Sequence, residues 1–312
     1  MSRASGQHDP SQGGGQALVG GPSVDPLQIH DVVIFSAEEM IRETQAVIRA
    51  AMPGVEVRIL PSPMALAGAR FEGPTVVLLD DTGLLLGDTE AIRRSASEIC
   101  IVLLSFSDAV QCSPPDVARR ELPYTAKADL VFAVNRADLA PSIIITSVIR
   151  AAEDQLDIER RSRSGRSIFL IVDDEPRWAS RFLPVLYPII GSSAAVKITR
   201  TFEQTLEFLF GVTTEAETEL PGAERGLGSQ VVCLITDLFF PKSGRVSSDA
   251  GRDLVRLVHQ HYPGLPIIIA SRSEEAAALG GAGFVLRKGD PGSLEALQRY
   301  IHDSTGIGEA AR

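Results

Sequence analysis

The chain has 312 residues, 44% of them hydrophobic and 22% charged, with a formal net charge of -10. That length exceeds one ordinary core of about 100 to 200 residues, so two domains are expected. The acidic balance argues against nucleic-acid or membrane-surface partners, because either calls for a basic patch.

Residues 1–28 are rich in Gly, Ser, Gln and Pro and are expected to be a disordered tail. Beyond them, short apolar runs alternate with segments of helical period. In the first half the predicted strands are 31–35, 55–60, 75–79, 99–104 and 130–134, with helices over 37–52 and 141–156. In the second half they are 168–172, 195–199, 231–235, 266–270 and 284–286, with helices over 176–186, 202–210, 251–261 and 291–302. Unalternated, β-branched runs suit strands buried on both faces of a parallel sheet. The fold class expected is α/β: two doubly wound, flavodoxin-like, five-stranded parallel sheets in tandem, strand order 2-1-3-4-5. The domains are then 29–150 and 167–303. Residues 151–166 form a helical linker that opens into a hinge carrying Arg160, Arg161, Arg163 and Arg166, and 304–312 form a tail. Residues 211–230 read as an acidic, flexible insertion.

Cys100, Cys112 and Cys233 show no metal-ligand spacing and read as reduced thiols. No apolar run reaches the roughly 18 residues of a membrane span and no basic-then-apolar leader is visible, so a cytoplasmic location is expected.

In a doubly wound sheet, ligands bind beyond the carboxyl ends of the strands. In the second half the first strand ends at Asp173-Asp174-Glu175 and the third at Asp237, followed four residues on by Pro241. Adjacent carboxylates repel unless a cation joins them, and an all-oxygen set suits Mg2+. The fourth strand ends at Ser271 and the fifth at Lys288, a hydroxyl and an ammonium suited to a phosphoryl group.

These five positions, in order, resemble the response-regulator receiver family of two-component signalling. The resemblance covers 167–303 and implies that Asp237 accepts a phosphoryl group. It also implies that Asp173, Asp174 and Asp237 hold Mg2+, and that Ser271 and Lys288 bind phosphoryl oxygens. The run Asp173 to Trp178, with Ser180 to Pro184, is also similar to receivers found with phosphoenolpyruvate/pyruvate-binding proteins. Three positions depart from the family pattern. Arg272 follows Ser271 where a small residue is usual, Gly289 follows Lys288 where proline is frequent, and Val285 stands where an aromatic switch residue is frequent.

The first half reads as a degenerate copy, with Asp80 at the acceptor position and Ser105 at the hydroxyl position. Ser36 and Ala37 replace the acid pair, and no lysine stands in Val134-Asn135-Arg136. Such a pseudo-receiver would serve as an interaction or homodimerisation surface.

No helix-turn-helix and no P-loop or dinucleotide-type glycine motif is visible. The resemblance therefore implies a phosphoacceptor rather than an enzyme. A histidine kinase or phosphotransfer protein would supply the phosphoryl group, and an unidentified downstream protein partner would read it. The alternative is a constitutive scaffold of two receiver-like domains that are never phosphorylated.

Overall fold

A computed structural model describes residues 29–36, 45–61, 65, 69, 71, 73–80, 89–105, 128–134, 141–160, 166–215, 226–274, 276 and 283–305. The tails at 1–28 and 306–312, the hinge at 161–165, residues 216–225 of the acidic insertion and Cys112 lie outside the described residues.

The first sheet comprises β1 (Asp31–Phe35), β2 (Glu56–Ile59), β3 (Thr75–Asp80), β4 (Ile99–Ser105) and β5 (Leu130–Ala133). All neighbours are parallel, in the order β2-β1-β3-β4-β5. The described helices of this unit are α1 (Gln45–Ala51), α2 (Thr89–Arg93) and α3 (Pro141–Arg160). The second sheet comprises β6 (Ser167–Val172), β7 (Ala194–Thr199), β8 (Val231–Thr236), β11 (Ile267–Ser271) and β12 (Phe284–Arg287), in the order β12-β11-β8-β6-β7. These neighbours are also parallel. The second sheet's helices are α4 (Pro176–Ile190), α5 (Phe202–Phe210), α6 (Ala250–His261) and α7 (Ser293–Thr305). Both sheets therefore have the doubly wound order read from the sequence.

Local features differ from that reading, among them α2, which was not expected, and α7, which runs to Thr305 into the expected tail at 304–312. Between β8 and α6 an antiparallel hairpin, β9 (Phe240–Lys242) and β10 (Arg245–Ser247), turns on Ser243 and Gly244, whose φ angles are 55° and 74°. Positive φ at both loop residues is what a tight two-residue hairpin requires. Helix α4 continues past its expected end at 186 to Ile190, although it contains Pro184 and Pro188. Four residues apart, the two prolines share a side of the helix that is half-buried at Pro184 and exposed at Pro188, where a missing N–H is least costly.

Helix α3 runs unbroken through position 150 and packs against α4. Through this helix pair one apolar cluster joins both sheets, from Val32, Leu78 and Phe132 through Val148, Ala152, Phe182 and Leu186 to Phe169 and Ile235. Helices α5 and α6 cover the opposite face of the second sheet with Leu206, Leu209, Leu254 and Val258.

Each unit also closes an edge strand of the other. An unpaired edge leaves backbone groups open to adventitious pairing. At edge strand β5, Ala133 N donates to Ser180 Oγ of α4 at 3.1 Å. At edge strand β7, Val196 N donates to Asp154 Oδ2 of α3 at 2.8 Å, and the Tyr187 hydroxyl donates to the same oxygen at 3.0 Å. Arg166 pairs with Asp154 at 3.2 Å and with Asp157 at 3.3 Å, and donates to Ala194 O at 2.9 Å. Burial raises the Asp154 carboxyl to about 6, with Arg166 and the Val196 amide opposing the rise.

Candidate functional site

Parallel pairing brings the carboxyl ends of β6, β8, β11 and β12 to one edge. Asp173 directly follows β6, Asp237 follows β8, Ser271 ends β11 and Lys288 follows β12. The Lys288 ammonium lies 2.5 Å from Asp237 Oδ2 and 2.7 Å from Asp173 Oδ2, and all three residues are buried. Asp237 Oδ1 accepts the Leu238 N–H at 2.6 Å, and Asp173 Oδ1 accepts the Glu175 N–H at 3.0 Å. Lys288 N donates to Ser271 O at 3.0 Å, which ties the last two strand ends together. The Ser271 hydroxyl is buried and faces its own loop, 3.4 Å from Ser273 N.

Two glycines shape the approach. Gly251 N donates to Leu238 O at 3.0 Å, and a Cβ on Gly251 would meet Asp237 O and Leu238 Cα at 2.6 Å. Only glycine lets α6 start this close to the acceptor loop. After Lys288 the chain reverses at Gly289 with φ 95°, a conformation costly for any side chain.

An oxygen from each of Asp173, Asp174 and Asp237 lies within 4.8 Å of the others. When all are ionised, three carboxylates against one ammonium leave two negative charges uncompensated, the charge a divalent cation brings. Burial, above all, pushes the Asp173 carboxyl up to about 8, with Lys288 lowering it and Asp237 raising it. Burial and then the Asp237 carboxylate raise Asp174 to about 6. Burial also works against the Lys288 ammonium, but Asp173 and Asp237 together outweigh it and raise it to about 12. Three carboxylates that repel one another across so short a span are a donor set that suits Mg2+.

The rim of the site holds Trp178, which the strand-end pattern does not single out, and two of the departures from that pattern, Arg272 and Val285. Trp178, in the first turn of α4, is buried, and its ring centre lies 5.4 Å from the Lys288 ammonium and 5.7 Å from the Arg272 guanidinium. Arg272 pairs with Glu175 Oε2 at 3.2 Å, and Arg177 pairs with the same oxygen at 2.9 Å. At the aromatic-switch position Val285 is half-buried, while the adjacent Phe284 stacks on Tyr300 with ring centres 4.8 Å apart.

The first sheet repeats the backbone of this site register for register. Phe35 pairs with Leu79 as Val172 pairs with Thr236, so Ser36 stands where Asp173 does and Asp80 where Asp237 does. Asp80 pairs with Leu104, one residue before Ser105, which places Ser105 opposite the position of Ser271. Ser105 pairs with Ala133 as Ser271 pairs with Arg287, so Val134 occupies the lysine position. Val134 N donates to Ser105 O at 2.9 Å, the counterpart of the Lys288 bond. Ser36 Oγ donates to Asp80 Oδ2 at 2.9 Å, and Ser105 and Val134 are buried. Ala37, Asn135 and Arg136 lie outside the described residues.

No protein-family model matches the chain, and no curated protein does. Among solved structures, it is similar to a signal receiver domain of an HD domain-containing protein from Pseudomonas fluorescens Pf-5. The identity is 18%, over 48% of this chain and 93% of that one, with a TM-score of 0.32. A probable two-component system response regulator/GGDEF domain protein is 15% identical over 89% of this chain and 99% of its own, TM-score 0.34. A response regulator in red light signaling of R. palustris is 22% identical over 43% of this chain and 91% of its own, TM-score 0.30. Likeness at that level does not bear on chemistry, which the side chains at the strand ends decide. Among the described residues no helix is long and apolar enough to cross a membrane.

Proposed function

We propose that the second unit is a receiver that accepts a phosphoryl group on Asp237, from a histidine kinase or phosphotransfer protein, and signals by binding another protein. The observation that carries this reading is the buried ammonium of Lys288 set between Asp173 and Asp237, with Asp174 completing an oxygen cluster. Asp173, Asp174 and Asp237 would hold Mg2+, which when bound supplies positive charge to the equatorial phosphoryl oxygens.

The chain's own residues supply the rest. The Leu238 N–H and the Lys288 ammonium hold the two Asp237 oxygens in fixed directions, and each oxygen keeps a second lone pair. In-line attack forms the bond from an Asp237 oxygen to phosphorus. The bond from phosphorus to the donor nitrogen breaks, its electron pair leaving with the donor imidazole. Phosphoryl transfer of this kind depends mainly on alignment and charge neutralisation, which Lys288 provides from a position that needs little rearrangement. Ser271 would accept its new neighbour by turning its hydroxyl from its own loop. The first unit, with Ser36 and Val134 in place of an acid and the lysine, would act as an interaction surface without phosphoryl chemistry.

The test is incubation of the full chain with acetyl phosphate and Mg2+, read by intact mass. One added phosphoryl group on the wild type, absent in Asp237→Asn, supports the proposal. No added mass on the wild type leaves the constitutive scaffold as the better account.

A further inference from the structure

We propose that Arg272 is a phosphoryl-binding residue that exchanges Glu175 for the new anion on Asp237 and thereby shields the acyl phosphate from water. This inference rests on Asp237 being an acceptor.

Arg272 follows Ser271 at the end of β11, between the acceptor loop after β8 and the lysine after β12. Its side chain is 50% exposed, so the guanidinium has room to turn, and it rests near the same Trp178 ring that Lys288 faces. Its present partner is poorly matched to hold it. The Glu175 oxygen that Arg272 contacts at 3.2 Å is shared with Arg177 at the shorter distance of 2.9 Å. Departure of Arg272 therefore leaves Glu175 neutralised by Arg177 rather than stranded.

The acyl phosphate on Asp237 is a stronger competitor. It carries close to two negative charges and three acceptor oxygens, and a guanidinium offers a donor fork that engages two of them at once. Lys288 cannot meet this demand alone, because its ammonium is shared with Asp173. With Arg272 across the phosphoryl oxygens, water has less access to the phosphorus. Loss of the adduct requires that access: a water oxygen bonds to phosphorus, the bond from phosphorus to the Asp237 oxygen breaks with its electron pair returning to the carboxylate, and the water proton passes to solvent.

Trp178 is the one tryptophan in the chain, so its fluorescence reports on the guanidinium beside it. The experiment phosphorylates wild type, Arg272→Ala and Glu175→Gln full-length protein with acetyl phosphate and Mg2+. The donor is then removed, and adduct loss is followed by intact mass while Trp178 emission is recorded throughout. The expected result, from renewed access of water to the phosphorus, is an adduct lifetime about tenfold shorter in Arg272→Ala. Emission should change on phosphorylation beyond the Mg2+ step in wild type but not in Arg272→Ala. Glu175→Gln, which weakens the competing pair, should accept phosphate faster than wild type. Equal lifetimes and equal emission changes in wild type and Arg272→Ala overturn the role of Arg272 while leaving the acceptor reading intact. A wild type that takes up no phosphate overturns both.

Discussion

At the end of β1, Ser36 donates a hydrogen bond to Asp80, whereas at the corresponding end of β6 Asp173 meets Asp237 through the ammonium of Lys288. The strand-end register is the same in both places, down to the bond from the fifth strand end to the fourth. In the first unit the buried acid is satisfied locally by a hydroxyl, and the lysine position holds the apolar Val134 in the core. In the second, three carboxylates are forced together and one ammonium is too few to neutralise them. A doubly wound sheet thus supplies a place for a site at its strand ends, and the side chains at three positions, Ser36, Ala37 and Val134 against Asp173, Asp174 and Lys288, set the charge it carries.

Exchanging side chains between the two sites tests the difference between them. The largest effect is expected from Lys288→Val, which gives the second unit the first unit's side chain. Acetyl phosphate labelling, followed by intact mass, should slow by about 100-fold or more, as for removal of a fixed charge from a reacting centre. Next comes the seam that holds the units together. Asp154→Ala strands the Tyr187 hydroxyl and the Val196 N–H and leaves Arg166 with Asp157 as its carboxylate partner, and should lower unfolding stability by about 2 to 4 kcal/mol in a urea titration. Asp154→Asn, which keeps an acceptor for Val196, should cost less.

A pH series separates the two clusters further. The raised carboxyls of Asp173 and Asp174 mean that the fold favours their protonated forms. That stabilisation is fully present below the usual carboxylate range and is lost as pH rises through about 6 and then about 8. Metal-free protein should therefore melt at lower temperature at pH 8.5 than at pH 5.5, and saturating Mg2+ should remove most of that loss. By the same linkage, Mg2+ affinity read from Trp178 fluorescence should rise with pH up to about 8 as protons cease to compete. Glu153 and Asp154 titrate in the same direction, so the Mg2+ difference, rather than the slope itself, identifies the cluster. The smallest effect is expected in the first unit. Ser36→Ala should cost about 1 kcal/mol of stability and leave phosphate uptake unchanged.

The sheets were readable in the sequence because strands buried on both faces must be apolar along their whole length, as in the runs at β4 and β11. Helix α5 was readable to the residue, since Thr201 caps it by accepting from Gln204 N at 3.2 Å and Gly211 ends it with φ 72°. The strand-end acids, the serine and the lysine were readable because parallel topology brings strand ends together. The hairpin after β8 was not, since its three-residue strands are too short to show a period. Nor was the seam. Asp154, Gln155 and Asp157 have the look of a solvated helix face, and only the placement of α3 against β7 buries them. The contacts of Trp178 with Lys288 and of Arg272 with Glu175 likewise join residues far apart in the chain, which local pattern does not reveal.

Which aspartate takes the phosphate distinguishes the two units outright. Full-length wild type, Asp237→Asn and Asp80→Asn are each incubated with acetyl phosphate and Mg2+ and measured by intact mass. The prediction is one phosphoryl adduct on wild type and on Asp80→Asn, and none on Asp237→Asn. An adduct that survives in Asp237→Asn, or that disappears in Asp80→Asn, would contradict the assignment of chemistry to the second unit alone.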